Sequence, residues 1–486
     1  MRLFLILCLA MFMVSSICAE PIMAGTQART FKASVDQTEQ KYNLFVPHVH
    51  DTATSVPLVV ALHGKGATWE SWFAGTAVRD WAEKEGYVVI TPHGRGDWFY
   101  LGPGESDVLD AMKDVQGLCK IDSSRVYLIG HSMGGFGTWS IATAHPDLFA
   151  AIVPMSTWPP AELLPNLRYL HPLMLHGDAD PIVPVENSRR SKTLLDLLNI
   201  DNKYIEVAGA AHESSMISKH FDDIGDWLRG KTKVVEPDTV EICAYTPRRG
   251  KAYWLAIQEI EDFTSLARIK AARFSDRIDI TTSNVTAFAV LPPPAVKGSL
   301  ELTLVVNDQP VKVPTPKATQ IIVATRTEKK WNARLAEAAL FAPPAARRVA
   351  QSAKLPEDLP AAICRILALR CGADAVLLPR DLVAPQLASS ALTEDEVLDI
   401  FMRPEDEMCR FTMTPQEYQR LAVDKEWYPT WWGELAPLPK IEAVSGRPIV
   451  VVAPRIVAAR VPMKSQEMGV TLRKIVYDHV RDYGGF

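Results

Sequence analysis

The chemistry in this chain centres on Gly130-His131-Ser132-Met133-Gly134-Gly135. A serine hydroxyl is a weak nucleophile at neutral pH and needs a base, a group that orients the base, and donors for the oxyanion it creates. A Gly-x-Ser-x-Gly turn between a strand and a helix exposes such a hydroxyl at the end of a sheet, and its small neighbours let the tight turn form. The apolar run Val126–Ile129 supplies the strand and Gly135–Ala144 the helix, so Ser132 is predicted to be the nucleophile. In this setting the acid and then the base follow the serine in the chain. The acid belongs on a loop after a later strand. Leu173–Gly177 reads as that strand, and Asp178 and Asp180 follow it. Asp180 is favoured, because Pro181-Ile182-Val183-Pro184 stiffens the loop behind it, whereas Asp178 directly follows Gly177 and could instead hold the turn. His212, His220 and His479 come after both aspartates. His212 sits in the small-residue loop Gly209-Ala210-Ala211-His212-Glu213 and is the predicted base; His220 falls within a helical pattern and His479 far downstream. The oxyanion donors are predicted to be the backbone amides of Met133 and of Lys65, the latter in the Gly-flanked loop His63-Gly64-Lys65-Gly66. Trp69, Trp72, Trp98 and Trp158 fall in or near loops at strand ends, where they could stack on a sugar or an aromatic acyl group or could instead pack the loops; Trp69, Trp98 and Trp158 are taken as the substrate-binding candidates.

Around this set, residues 40 to 232 alternate short apolar runs with amphipathic stretches. Leu58–Leu62, Tyr87–Pro92, Arg125–Gly130, Ala151–Met155 and Pro172–Gly177 read as buried strands, and Ala77–Glu85, Asp107–Leu118 and Asn187–Leu198 as helices. Continuous apolar strands alternating with helices imply a doubly wound, mainly parallel α/β sheet covered on both faces. This catalytic unit is expected to span 26–232. From 235 to 315 the pattern is strand-like, with turns at Gly250, Pro292–Pro294, Gly298 and Asn307-Asp308, and implies a small β-sandwich. The remainder, 328–486, reads as mixed α/β, with helices over Glu328–Phe341 and Asp358–Arg370 and strands at Ala375–Leu378 and Ile449–Ala453.

The chain has 486 residues, a formal net charge of -5 and 48% hydrophobic residues. That length implies several domains, and the weak charge speaks against nucleic-acid or anionic-membrane partners. Arg2, the apolar run Leu3–Val14 and the small residues through Ala19 read as a secretory signal peptide over 1–19, so a secreted or periplasmic location is expected. No later run is long and apolar enough to suggest membrane insertion. Seven cysteines occur, two of them in the leader, and the five others leave an odd thiol; a Cys364–Cys371 bridge is conceivable in an oxidising compartment. No Cys-x-x-Cys or histidine-rich cluster suggests a metal, and no cofactor is implied. Nothing in the sequence fixes the oligomeric state.

Residues 40 to 230 resemble the α/β-hydrolase superfamily, and most closely secreted bacterial esterases related to feruloyl esterases, polyhydroxybutyrate depolymerases and the predicted-peptidase group of the prolyl oligopeptidase clan. The resemblance is carried by Leu62-His63-Gly64, Gly130 through Trp139, His145-Pro146-Asp147-Leu148-Phe149-Ala150-Ala151, His176-Gly177-Asp178-Ala179-Asp180-Pro181-Ile182-Val183-Pro184 and His212. It implies a Ser132–Asp180–His212 triad acting on small-molecule or polymer esters through an acyl-serine; a peptidase on the same triad, or a binding protein on the same scaffold, are the alternatives. Residues 235 to 310, with Lys251-Ala252-Tyr253-Trp254-Leu255 and Ile278 through Val285, resemble a β module that follows such hydrolase domains. Farther on, Cys371 through Leu378, Leu392 through Leu398 and Phe411 through Tyr418 faintly resemble the C-terminal domain of 5'-nucleotidases. Pro379-Arg380-Asp381-Leu382 replaces that family's Asn and Gly-Gly-x-Arg stretch, and no metallophosphatase motif is present. No phosphatase activity is expected from it.

Overall fold

The computed structural model describes residues 22–48, 54–97, 99–262, 265–291, 301–317 and 319–342, with short stretches beyond. The leader at 1–19, Trp98, Cys371, the Trp427–Trp432 stretch and most of the 328–486 region, including the greater part of the nucleotidase-like segments, lie outside the described residues.

The first unit is built in chain order from β1 (Gly25–Lys32), β2 (Glu39–Val46), β3 (Val56–Leu62), α1 (Ser71–Gly75), α2 (Val78–Glu85), β4 (Val88–Pro92), α3 (Pro103–Leu118), β5 (Ile121–His131), α4 (Met133–Ala144), β6 (Ala151–Met155), β7 (His171–Gly177), α5 (Glu186–Leu197), β8 (Lys203–Val207), α6 (Ser215–Lys219) and α7 (Phe221–Leu228). Its eight strands form one sheet in the order β1-β2-β4-β3-β5-β6-β7-β8. β1 and β2 pair antiparallel at one edge, β2 joins β4 antiparallel, and every pairing from β4 onward is parallel.

Side chains alternate across a strand, so a strand buried on both faces feeds two cores. Leu58, Val60 and Leu62 of β3 enter one core with Val108, Met112 and Val115 of α3, Trp139 of α4 and Leu195 of α5. Val59 and Ala61 enter the other with Trp72, Phe73, Trp81, Phe221, Ile224 and Leu228 from α1, α2 and α7. Trp72 is therefore a core residue. The chain passes from β3 out to β4 and then back across β3 to β5, so the strand order reverses between β3 and β5. In open parallel sheets the crevice at the carboxyl ends of such a reversal is where ligands bind. Ser132 and the loop that starts at His63 emerge there.

The second unit is a sandwich of two five-stranded sheets. One runs β16 (Gln309–Pro314), β15 (Glu301–Val306), β13 (Arg277–Ser283), β12 (Ala267–Arg273), β9 (Thr239–Ala244). The other runs β10 (Lys251–Ala252), β11 (Leu255–Ile260), β14 (Val285–Val290), β17 (Gln320–Thr327), β18 (Lys330–Glu337). The two inner faces share one core that includes Ile242, Ile257, Ile280, Phe288, Leu304, Ile322 and Trp331.

This corrects two expectations. Glu328–Phe341 is not a helix: it is β18 followed by a 3-10 turn at Ala338–Phe341. Its Ala, Leu, Glu and Lys content favours a helix locally. Pairing along the whole of β17 prevails, with Trp331 seated 5.2 Å from Phe288. The sandwich accordingly continues past 315 through β17 and β18. Beyond it, β19 (Ala375–Val376), β20 (Glu407–Met413), β21 (Ile449–Pro454) and β22 (Gln466–Thr471) form a sheet in the order β19-β21-β20-β22.

The sandwich is fastened to the first unit by buried polar groups. Asn166 donates from Nδ2 to the carbonyls of Thr143, at 2.7 Å, and of Cys243, at 2.9 Å, and its Oδ1 accepts from the Cys243 amide at 2.6 Å. Both amide hydrogens and the carbonyl are thus used. The buried Glu105 carboxylate of α3 is bonded by His145, at 2.8 Å, and by the Arg249 guanidinium of the sandwich. Burial alone would push the Glu105 carboxyl up; the Arg249 charge and the His145 bond outweigh it and hold the group well below the usual carboxylate range. A depressed acid contributes stability above its unfolded value, and that contribution is lost as the pH falls below about 4 toward the folded value. Arg249→Met leaves Glu105 buried with one partner fewer, so a loss of about 3–5 kcal/mol is expected, read as a fall in the denaturant midpoint at pH 7.

Candidate active site

Ser132 links the last residue of β5 to the first of α4 with φ 57 and ψ -119. A non-glycine residue at positive φ is strained and is held there by its surroundings. Here the Ser132 amide donates to the Met155 carbonyl at 2.9 Å, and the Ser132 carbonyl accepts from Phe136 at 3.0 Å as α4 begins. The turn also needs glycine at 134, where an added Cβ would collide with the Leu62 carbonyl at the end of β3. That close approach brings the start of α4 against the loop that follows β3.

Asp180 and His212 lie on two loops that are tied together. The Asp178 amide donates to Val207 at 3.1 Å, the Ala179 amide to Ala210 at 3.1 Å, and the Asp178 carboxylate accepts from the Gly209 amide at 2.6 Å. Asp178 therefore holds the turn. Asp180, with a fully buried side chain, lies 2.7 Å from His212 through Oδ2 and Nδ1. Its Oδ1 accepts from the amides of Ile182 and Val183, both at 2.8 Å. The stiff Pro181–Pro184 segment thus aims the carboxylate through its own backbone. A second imidazole reaches the same carboxylate: His176 Nε2 is 3.3 Å from Oδ2. Burial would raise the Asp180 carboxyl, but the bonds from His176, His212 and Val183 prevail and hold it far below its usual range. An ionised carboxylate fixes the His212 proton on Nδ1 and leaves Nε2 as the basic nitrogen.

His212 reaches the serine turn through His131. The two rings lie 4.7 Å apart, tilted by 39°, and His131 immediately precedes Ser132. Burial, and then the neighbouring His212, push the His131 imidazole down to about 3, so it packs there uncharged. Its Nε2 is buried and finds no partner among the described residues. The structure thus brings Asp180 and His212 into hydrogen-bond contact and sets His212 against the residue before Ser132.

Of the predicted oxyanion donors, the Met133 amide opens α4, where the first amides of a helix have no partner within it and the helix dipole is positive. The Lys65 loop runs beside Ser132: a Cβ built on Gly64 would stand 3.7 Å from Ser132 Cβ. That loop is pinned on both sides. His63 places Nδ1 2.9 Å from the Gly64 carbonyl, and Asp97 accepts from the Gly66 amide at 2.7 Å.

The tryptophans separate. Trp158 follows β6 and lies 6.1 Å from Phe136, which in turn lies 6.0 Å from Phe99. Phe136 lies one turn along α4 from Ser132. Trp69 is partly buried; its ring meets His93 at 4.9 Å, Lys41 Nζ sits 5.4 Å from its centroid, and His93 in turn stacks on His63 at 5.8 Å. No cluster of metal-ligating side chains occurs among the described residues.

Residues 106–228 match the family model for PET hydrolase-like proteins. Feruloyl esterase B of Thermothelomyces thermophilus is 30% identical over 155 residues, covering 29% of this chain and 52% of that protein. Cutinase 2 of Thermobifida cellulosilytica is 39% identical over 93 residues, covering 19% of this chain and 35% of that protein. A thermostable esterase of known structure is 26% identical with a TM-score of 0.38, covering 43% of this chain and 63% of that one. The chain spans about half the length or less of these curated relatives. The unit from β1 to α7 is thus an α/β domain on a mainly parallel eight-stranded sheet, similar over part of its length to PET hydrolase-like proteins, feruloyl esterases and cutinases.

Proposed function

We propose that this chain hydrolyses carboxylic esters through an acyl-serine on Ser132. His212 Nε2 takes the serine proton as the hydroxyl attacks the acyl carbon, and returns it to the leaving alcohol. Water then attacks the acyl-enzyme with His212 again as base, which frees the acid and restores Ser132. The Met133 and Lys65 amides receive the oxyanion in both steps. Asp180 keeps His212 in the productive tautomer and stabilises the imidazolium. The observation that carries this reading is the 2.7 Å bond between a buried, ionised Asp180 and His212, beside a serine held at positive φ.

The substrate class is inferred from the Phe99–Phe136–Trp158 group, which enters α4 one turn after Ser132, and from relatives named feruloyl esterase and cutinase. Both support an ester with an aromatic or polymeric acyl part. The apolar leader supports action outside the cytoplasm, in the periplasm or the medium. A panel of p-nitrophenyl acetate, methyl ferulate and a peptide p-nitroanilide, run on the wild type and on Ser132→Ala, tests the reading. Ester turnover confined to the wild type supports it; amide cleavage without ester cleavage replaces it with a peptidase. Trp158→Ala is expected to raise KM for methyl ferulate about three- to tenfold, the worth of one aromatic contact, and to leave KM for the acetate ester unchanged.

A further inference from the structure

His176 is a buried histidine outside the proposed triad, and its surroundings account for both ring nitrogens. Nε2 stands 2.9 Å from the Val183 carbonyl and 3.3 Å from Asp180 Oδ2. Both are acceptors, so Nε2 carries a proton. Nδ1 lies 2.7 Å from the Ser188 hydroxyl on α5. The ring therefore joins α5, the Val183 peptide and the oxygen of Asp180 that also serves His212. That oxygen receives the His212 N–H at 2.7 Å and shares, at 3.3 Å, the His176 N–H whose shorter bond goes to the Val183 carbonyl.

Resting on the reading of Asp180 as the acid of the triad, we infer that His176 is a positioning residue for the reaction, a second imidazole that fixes the Asp180 carboxylate and moderates its pull on His212. The groups acting on this centre come from each neighbouring element: Asp180 from the loop after β7, His212 from the loop after β8, Glu206 from β8 and His131 from β5. A carboxylate that loses a donated N–H becomes the stronger acceptor for its remaining partner. The acid limb of the pH profile, where the base takes up its proton, then moves to higher pH. The carboxylate also gains freedom to turn, and misplacement of a catalytic group lowers kcat more than it raises KM.

The experiment uses the full chain with p-nitrophenyl butyrate. His176→Phe keeps an aromatic ring in the buried site without offering a donor or admitting water. It is expected to lower kcat about 30- to 100-fold with KM little changed, and to raise the acid limb of kcat/KM by about half to one pH unit. His176→Gln restores a donor near the Nε2 position and is expected to stay within about threefold of the wild type with its limb unmoved. A pH profile in His176→Phe that overlays the wild type, or equal losses in the Phe and Gln variants that follow their melting temperatures, overturns the proposal. Should His176→Phe not fold, Ser188→Ala frees Nδ1, and the same measurement expects an upward limb shift of a few tenths of a unit; no shift overturns it. The Ser132→Ala control separates the two claims: its full activity overturns the triad and this role together, whereas an inactive Ser132→Ala beside an unaltered His176→Phe overturns the role of His176 alone.

Discussion

Ser132→Ala is expected to lower kcat/KM for a short-chain ester by about 10^4- to 10^6-fold while leaving the melting temperature within a few degrees of the wild type. The size follows from the role. Without the hydroxyl there is no acyl-enzyme, and what remains is binding together with the oxyanion donors, which retain modest catalysis on their own. The small structural cost follows from the position. Ser132 makes its turn bonds through its amide and carbonyl, to Met155 and Phe136, and alanine keeps both. Alanine inherits the same positive φ. Stopped-flow release of p-nitrophenol checks both parts, since the burst of one equivalent should vanish along with the steady rate.

Asp180→Asn is the second large effect, with an expected loss of about 10^4 in kcat at neutral pH. The substitution keeps the volume and keeps an oxygen for the amides of Ile182 and Val183. It then turns an NH2 group toward His212 Nδ1 and His176 Nε2, where the carboxylate had accepted from both. His212 can answer only by moving its proton to Nε2, which removes the base. His176 cannot answer without giving up its bond to the Val183 carbonyl. The His212 tautomer is read directly from its imidazole 15N shifts, and retention of the wild-type tautomer in Asp180→Asn would contradict this account.

How much of this was legible in the sequence depends on how local the constraint is. Ser132 stands out because its turn needs small residues at fixed offsets between a strand and a helix, and all of these are neighbours in the chain. Asp180 and His212 stand out because each ends a recognisable strand-and-loop unit in the order the turn demands. His176 and His131 carried no such mark. Both sit within the segments that carry the family resemblance, but nothing local assigns them a role, and only the folded sheet brings His176 to Asp180 and His131 to His212. The fold shows the same division. The parallel strands are continuous apolar runs and read clearly. The edge pair β1 and β2 was less visible, since β1 alternates partly buried with exposed positions and has no apolar run. β18 was misread because its residues favour a helix when taken alone, while its partner strand and the Phe288 ring lie elsewhere in the sequence.

The most direct test of the acyl-serine is to quench the full chain during the burst with p-nitrophenyl acetate at low pH and to map the modified peptide by mass spectrometry. The account predicts one acetyl group per chain on the peptide containing Ser132, absent from Ser132→Ala and strongly reduced in His212→Ala. Steady ester turnover with Ser132 unmodified, or with the acyl group on another residue, would contradict it.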